Sequence, residues 1–420
     1  MKEIGDYRNG SFFVENVDIT EIAKEVGTPF YVYSLKGIRD GVKDYKEALS
    51  EYNGIGCYAV KANSNIALMK IIFNEGFGAD VVSKGELYKA LIAGVDPSKT
   101  VFAGVGKRDD EIEFALEKNI LMFNVESEEE LYTINDIAGR MQKKARIAIR
   151  VNPDVDPKTH PYIATGLKTS KFGIDINDAY DMYIKARELE NIEIIGIHYH
   201  IGSQITKKEP FIEAGLKVIE LVKSLKEKGI NIKYFDMGGG IGIRYNQEET
   251  IKPKDIMDEL GKYIKELELI PIMEPGRSII GNAGFLVTKL LYIKRKNEKN
   301  FYIVDAGMND LARPALYDAY HEIVPAKKKN NENRIIVDIV GPICESGDFL
   351  AKNREMPVLN GGDLLIVKST GAYGFSMSSN YNMRPKVAEV LVDEDRWYVI
   401  RKRETLEDLI RGENIPSFLL

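Results

Sequence analysis

Eight short apolar runs punctuate the chain between residues 55 and 278: IGCYAVKA (55–62), GADVVS (78–83), TVFAG (100–104), LMFNVES (121–127), ARIAIRVNP (145–153), EIIGIHYHIG (193–202), KYFDMGGG (233–240) and PIMEPGRS (271–278). Between them apolar residues return every three or four positions, as in KGELYKALIAG (84–94), SEEELYTINDIAGRM (127–141) and EPFIEAGLKVIELVKSLKEKG (209–229). That period predicts amphipathic helices. Eight strand-then-helix units predict an α/β fold, a parallel (β/α)8 barrel over residues 35–280. A doubly wound open sheet is the competing layout, and the count of eight favours the barrel.

After residue 280 the texture changes. FLVTKLLYIKRK, NFYIVDAG, RIIVDIVGPIC, DLLIVKSTGAYG and KVAEVLVDEDRWYVIRKRE follow one another without long helical segments between them. They predict an antiparallel β domain, sandwich- or barrel-like, formed by residues 281–420 together with residues 1–34. FFVENV and PFYVYS near the N-terminus are its expected further strands.

Composition narrows the class without changing this picture. The chain has 420 residues, 44% of them apolar and 29% charged, as soluble globular proteins do. Its net charge of −6 is not gathered into a basic block, so neither nucleic acid nor an anionic membrane is an expected partner. The run Lys327-Lys328-Lys329 reads as a solvated loop. MKEIGDYRNG lacks the apolar stretch of a signal peptide, and no run of apolar residues is long enough to span a bilayer. Two cysteines, Cys57 and Cys344, are too few for a disulfide framework, so a reducing cytoplasm is expected.

The carboxyl ends of barrel strands gather on one face, so the run ends form a list of what that face offers: Lys61; Asp80 and Ser83; Gly104; Asn124 and Glu126; Arg150 and Asn152; His198 and His200; Gly238 to Gly240; Glu274 and Arg277. Lys61 reads either as a structural lysine paired with Asp80 or Glu126, or as a desolvated amine able to form a Schiff base with an aldehyde. DMGGGIG reads as an anion cradle near strands seven and eight, or as a plain tight turn. EPGR offers a carboxylate suited to a ring nitrogen and an arginine suited to phosphate, or an internal ion pair. HYHIGSQ puts His198 and His200 on one face of a strand, which opens a metal alternative, with His160 and His321 as the only other histidines. Cys344, in an apolar run, reads by itself as a small core residue.

Taken in order, YAVKAN, HIGSQ, GGG, EPGR, GPICESGDFL and GAYGFSMSSNYN resemble the alanine-racemase-like (fold type III) pyridoxal phosphate decarboxylases over nearly the whole chain. The resemblance implies pyridoxal 5'-phosphate as cofactor and no metal. Lys61 would hold the cofactor covalently, His200 would stack on its ring and Glu274 would pair with its ring nitrogen. Ser203, Gly239, Gly240, Arg277 and Tyr373 would hold its phosphate, and Asp80 and Gly276 belong to the same implied set. Arg277, Arg313 and Tyr317 would bind a distal carboxylate of the substrate, beside Tyr373. Cys344 would protonate the carbanion and Glu345 would take the distal ammonium, both from the partner subunit of a homodimer. The implied reaction is decarboxylation of meso-2,6-diaminoheptanedioate at its D centre to L-lysine.

Rivals separate on residues. A racemase of this fold would resemble one with arginine against the ring nitrogen, where this chain has Glu274. A decarboxylase of another basic amino acid, of ornithine or arginine type, is the nearest alternative; the ornithine-type enzymes bind a distal amine alone, whereas Arg313 and Tyr317 suit a carboxylate. Outside the class stand a metal-dependent hydrolase and a cofactor-free relative, the latter disfavoured because Lys61, Glu274 and Cys344 are all present.

Overall fold

Each of the eight apolar runs contributes one strand to a single parallel sheet: Ile55–Ala59, Gly78–Val81, Thr100–Phe102, Met122–Val125, Ala145–Asn152, Ile192–His198, Tyr234–Asp236 and Ile270–Met273. Each pairs with the next, and Ile270–Met273 returns to Ile55–Ala59, so the ring closes. Closure removes the two edge strands an open sheet would leave, which makes this the expected (β/α)8 barrel. The computed structural model describes residues 4–156, 171–296, 299–329 and 333–419. His160 lies outside them. No described helix is long and apolar enough to cross a membrane.

Local chemistry sets where strands give way to helices. Ser83 caps helix Lys84–Ala93 by accepting from the Glu86 N–H, and Gly94 ends it in the left-handed region at φ +90°. Ser127 caps Glu128–Arg140 in the same way through the Glu130 N–H. Helix Glu209–Glu227 buries Phe211, Ala214, Val218, Val222 and Leu225, the stripe its period predicted. The strands are shorter than the runs, so the last residues of each run lie in loops beyond the sheet.

The chain forms two compact units: Ile38–Ile280, which holds the barrel, and a second unit of Met1–Gly37 with Gly281–Leu420. The second unit is organised on one long strand, Gly284–Lys296. Its first half pairs with Phe30–Ser34 and Leu364–Val367, and its second half with Lys299–Val304. Most pairs are antiparallel as expected. Two are not: Phe30–Ser34 runs parallel to Ala388–Asp393, and Lys299–Val304 parallel to Arg334–Val340. FFVENV also departs from expectation, because Glu15 adopts φ +52° and turns the chain within it. Ser11–Val14 and Val17–Asp18 therefore form a separate three-stranded sheet with Gly5–Arg8. Phe12 and Val14 still bury against Phe30, Val32, Phe285, Val390 and Val392. Lys327 and Lys328 are exposed, whereas Lys329 is half-buried and pairs with Asp363 at 2.7 Å.

Gly78 shows how tightly the barrel strands approach. A Cβ there would lie 1.7 Å from the carbonyl oxygen of Lys99, a backbone atom that cannot yield. Gly85, in the following helix, would meet nothing closer than 3.8 Å. Gly78→Ala is expected to destabilise the protein by about 3 kcal/mol through overpacking, while Gly85→Ala should stabilise it by about 0.5 kcal/mol through reduced chain entropy. Urea unfolding midpoints measure both, and a Gly78→Ala midpoint equal to wild type contradicts the account.

Candidate active site

Lys61 follows the first barrel strand on a 3-10 turn, Val60–Ala62, rather than sitting in the strand itself. Its Nζ donates to Asp80 Oδ2 at 3.0 Å from the end of the second strand. The structural pairing read from the sequence is thus present. Asp80 is fully buried, whereas the lysine side chain is 38% exposed. The polar residues after Lys61 are local fasteners: Asn63 Oδ1 accepts from the Asn65 N–H, and Asn65 caps helix Ile66–Asn74.

Glu274, just past the eighth strand, is buried. Asn124 Nδ2 donates to its Oε1 at 3.3 Å and to Asp236 Oδ2 at 3.4 Å, and His198 Nε2 lies 3.4 Å from its Oε2. Burial by itself would push the Glu274 carboxyl up; the His198 imidazole and then the Lys61 charge hold it well below the usual carboxylate range. Asp236 goes the other way, raised well above its ordinary value by burial and by the neighbouring Glu274. Asp80 is likewise raised by burial and by Glu274, against the pull of Lys61.

The glycine turn after the seventh strand packs directly on this carboxylate's backbone. The Glu274 N–H donates to Gly238 O at 2.7 Å, and a Cβ on Gly239 would meet Glu274 O at 2.1 Å. Gly238 and Gly240 take φ +64° and +109°, open to glycine. The Gly239 N–H donates to His200 Nδ1 at 3.1 Å. His200 is pushed well below the usual imidazole value by burial and then by Arg150 and Lys61, so it stands as a neutral ring oriented by a backbone bond. Gln204 ties the neighbouring loop down, its amide accepting from Ile243 N–H and donating to Ile243 O. Arg277 lies buried beside Ser203, whose Oγ accepts from its Nε at 3.3 Å and Nη2 at 3.0 Å, while its Nη1 donates to Tyr245 Oη at 2.6 Å.

Several expectations change here. His198 and His200 do not share a strand face, because the strand ends at His198. Among the described residues, the grouping whose ligand atoms lie within 4.8 Å of one another is His198, Asp236 and Glu274, without His200. Ser83 and Asn152 serve the backbone, the first as a helix cap and the second accepting from Asp154 N–H. Glu126 is scaffold: it accepts from Arg150 Nη1 at 2.9 Å, from the Gly104 N–H at 2.9 Å and from the Gly173 N–H at 3.1 Å. Asp236, Tyr245 and Lys107 were not singled out in the sequence. Lys107, almost wholly buried, donates to Glu130 and to the carbonyls of Gly104 and Asn124. The side chains they meet are distant in sequence: Asp236 with Asn124, Tyr245 with Arg277 and Lys107 with Glu130.

The remaining expected residues belong to the second unit. Arg313 and Tyr317 begin and end the one-turn helix Arg313–Tyr317. Cys344 is exposed, which overturns its reading as a core residue. Its N–H donates to Asn382 Oδ1 at 2.7 Å, and the exposed Glu345 is met by Tyr381 Oη at 3.5 Å. Asp348 braces the turn by accepting from the N–H groups of Met308 and Ile343, both at 2.7 Å. Tyr373 takes φ +56°.

The barrel residues fit the cofactor that the resemblance implies. Asp80 Oδ1 and Asn124 Oδ1 are buried without a hydrogen-bond partner beside Lys61 and Glu274, acceptors that a bound polar group could satisfy. A partly exposed lysine, an ionised carboxylate, a neutral flat imidazole and an arginine beside a glycine turn are together what a pyridine aldehyde phosphate requires.

Comparison with known proteins agrees. Residues 35–281 match the family model for the pyridoxal-dependent decarboxylase pyridoxal binding domain. The chain is 52% identical over 406 residues to the diaminopimelate decarboxylase of Aquifex aeolicus, covering 96% of each. It is 47% identical over 409 residues to that of Pseudomonas aeruginosa, covering 97% of this chain and 98% of the relative. The solved diaminopimelate decarboxylase of M. jannaschii in complex with L-lysine superposes with a TM-score of 0.94 at 40% identity, covering 100% of this chain and 99% of that one.

The Glu126 clamp carries a stability prediction. Glu126→Ala leaves Arg150 buried without that carboxylate and is expected to cost about 3–5 kcal/mol, whereas the double change E126L/R150M should recover most of it. Thermal unfolding of the three proteins decides, and a fully stable Glu126→Ala variant contradicts the clamp.

Proposed function

Because this chain belongs to the pyridoxal-dependent decarboxylases and is a carboxy-lyase using pyridoxal 5'-phosphate, we propose that it decarboxylates meso-diaminopimelate to L-lysine, the last step of lysine formation. The observation that carries the substrate choice is Arg313, a guanidinium only 7% exposed at the start of a one-turn helix. A cation held there suits a second, distal carboxylate and ill suits a distal amine. The Aquifex and Pseudomonas relatives bearing the diaminopimelate decarboxylase name support the same choice.

Pyridoxal phosphate, when bound, supplies an aldehyde carbon that links to amines and a ring that accepts the electron pair left when a carboxylate departs. Lys61 would hold that carbon until the substrate amine displaces it, and Asp80 keeps the lysine in place meanwhile. Glu274, kept ionised by its neighbours, would face the ring nitrogen and hold a proton on it. His200, neutral, would lie against the ring without adding a competing charge. Ser203, Arg277, Tyr373 and the Gly239-Gly240 turn would surround the phosphate, with Gly276 allowing close approach. Arg277, Arg313 and Tyr317 would orient the distal carboxylate, and Glu345 the distal ammonium. Cys344 would return a proton to Cα after carbon dioxide leaves. A cytoplasmic setting keeps its exposed thiol reduced.

The pairing of Cys344 and Glu345 with Lys61 is proposed to occur across a homodimer, one chain supplying the lysine and the other the thiol and carboxylate. Exposure of Cys344 and Glu345 on one turn supports it.

Two experiments test these readings. As substrates, ornithine and lysine must present their single carboxylate at the reacting carbon and so leave Arg313 facing none, which should lower kcat/KM roughly 30- to 1000-fold relative to meso-diaminopimelate; Arg313→Ala should narrow the gap, and equal turnover of ornithine and meso-diaminopimelate refutes the substrate assignment. For the shared site, Lys61→Ala and Cys344→Ala homodimers should each be nearly inactive. Mixing them under subunit exchange should restore activity to about a quarter of wild type, because half the dimers are hybrids with one intact site. A mixture that has exchanged mass-tagged chains and stays dead would place both residues in one chain.

A further inference from the structure

A buried guanidinium must have its donors directed, and one of those of Arg313 is directed by an unusual partner. Its Nη1 lies 2.8 Å from Nε2 of His321, a fully buried histidine. The other ring nitrogen, Nδ1, lies 2.8 Å from the carbonyl oxygen of Lys368. Guanidinium groups only donate and carbonyls only accept, so the two contacts fix the tautomer. Nδ1 carries the proton and donates to Lys368; Nε2 presents its lone pair to Arg313. The imidazole is therefore neutral.

A neutral acceptor orients a guanidinium without cancelling its charge, whereas a carboxylate at the same place would do both. The histidine is itself fixed. Its carbonyl accepts from Arg354 Nη1 at 3.0 Å, and the Arg354 guanidinium lies over the Tyr320 ring at 4.1 Å. On the other side the Lys368 N–H donates to Glu322 O at 2.9 Å, and its side chain pairs with the Glu322 carboxylate at 2.9 Å.

We propose that His321 is a positioning residue for substrate specificity: it aims Arg313 at the distal carboxylate through a hydrogen bond that does not itself cancel the guanidinium charge. The inference rests on the reading of Arg313 given above. It assigns a specificity role to a fully buried histidine, acting through the hydrogen bond it accepts from Arg313.

The test compares competitive inhibition by L-lysine, which keeps the distal carboxylate, with inhibition by 1,5-diaminopentane, which lacks it. In H321L, with the acceptor removed, L-lysine should bind about tenfold more weakly or worse, while diaminopentane changes by less than about threefold. H321Q, whose amide accepts from Arg313 and donates to Lys368, should return L-lysine to within about threefold of wild type. Unchanged L-lysine binding in H321L, or equal weakening of both ligands, overturns the proposal. If H321L does not fold, H321N gives the same comparison, since its shorter amide cannot span both partners. R313A separates the two levels. If R313A leaves the preference for L-lysine intact, the reading of Arg313 itself fails; if R313A erases it and the His321 variants do not, only the positioning role falls.

Discussion

A carboxylate that has to stay ionised inside a barrel is the constraint around which the site is arranged. Desolvating a charge costs several kcal/mol even after relaxation, and Glu274 is buried among strand ends. Its charge survives because His198 and Asn124 approach one oxygen each and Lys61 lies near enough to add attraction. Two further carboxylates, Asp80 and Asp236, share the interior, and both are shifted toward the protonated form as Glu274 is shifted away from it. The same residue dictates backbone. The turn over it must be glycine where a Cβ would strike the Glu274 carbonyl, and that turn in turn orients His200.

How much of this the sequence disclosed follows from the range of each interaction. The eight barrel strands are legible because each run of apolar residues is bounded by its own helix signals, such as Ser83 and Ser127 at the caps. The strand ends gave Lys61, Asp80 and Glu274 because a titratable residue after an apolar run is locally conspicuous. Asp236 is placed much as Asp80 is, but the glycines after it draw the reading of its run, and its link to Glu274 runs through Asn124, 112 and 150 positions away from the two carboxylates. Tyr245 and Lys107 find their partners in the same long-range way. The two parallel pairings of the β unit were invisible because an apolar strand alternates alike whichever direction its neighbour runs.

The segment GAYGFSMSSNYN illustrates how composition misleads about rigidity. It is rich in glycine and serine, yet Tyr373, Asn382 and the neighbouring Met383 and Ser369 all hold left-handed backbone, at φ between 54° and 58°. Non-glycine residues there are each strained by about 1 kcal/mol or more. Such conformations persist only where surrounding bonds fix them. Asn382 accepts from the Cys344 N–H, Ser369 from Asn282 Nδ2, and the N–H groups of Thr370 and Gly371 reach the carbonyls of Gly284 and Gly281. A turn built this way holds the exposed Cys344 at a defined place, as its proposed part as a proton donor would require.

The chain treats its two buried functional charges in opposite ways, and the difference follows from their acid–base chemistry. A carboxylate in a dry site is readily neutralised by a proton, so Glu274 needs neighbours that favour its charge, and His198 with Lys61 supplies them. A guanidinium stays protonated at any ordinary pH and needs no such help. What Arg313 requires in its proposed role is direction, and a carboxylate in the place of His321 would give direction only by cancelling the charge proposed to meet the ligand. The neutral Nε2 of His321, with its tautomer locked by the Lys368 carbonyl, supplies direction alone. The requirement to stay charged shapes the surroundings of one group, and the requirement to stay available shapes those of the other.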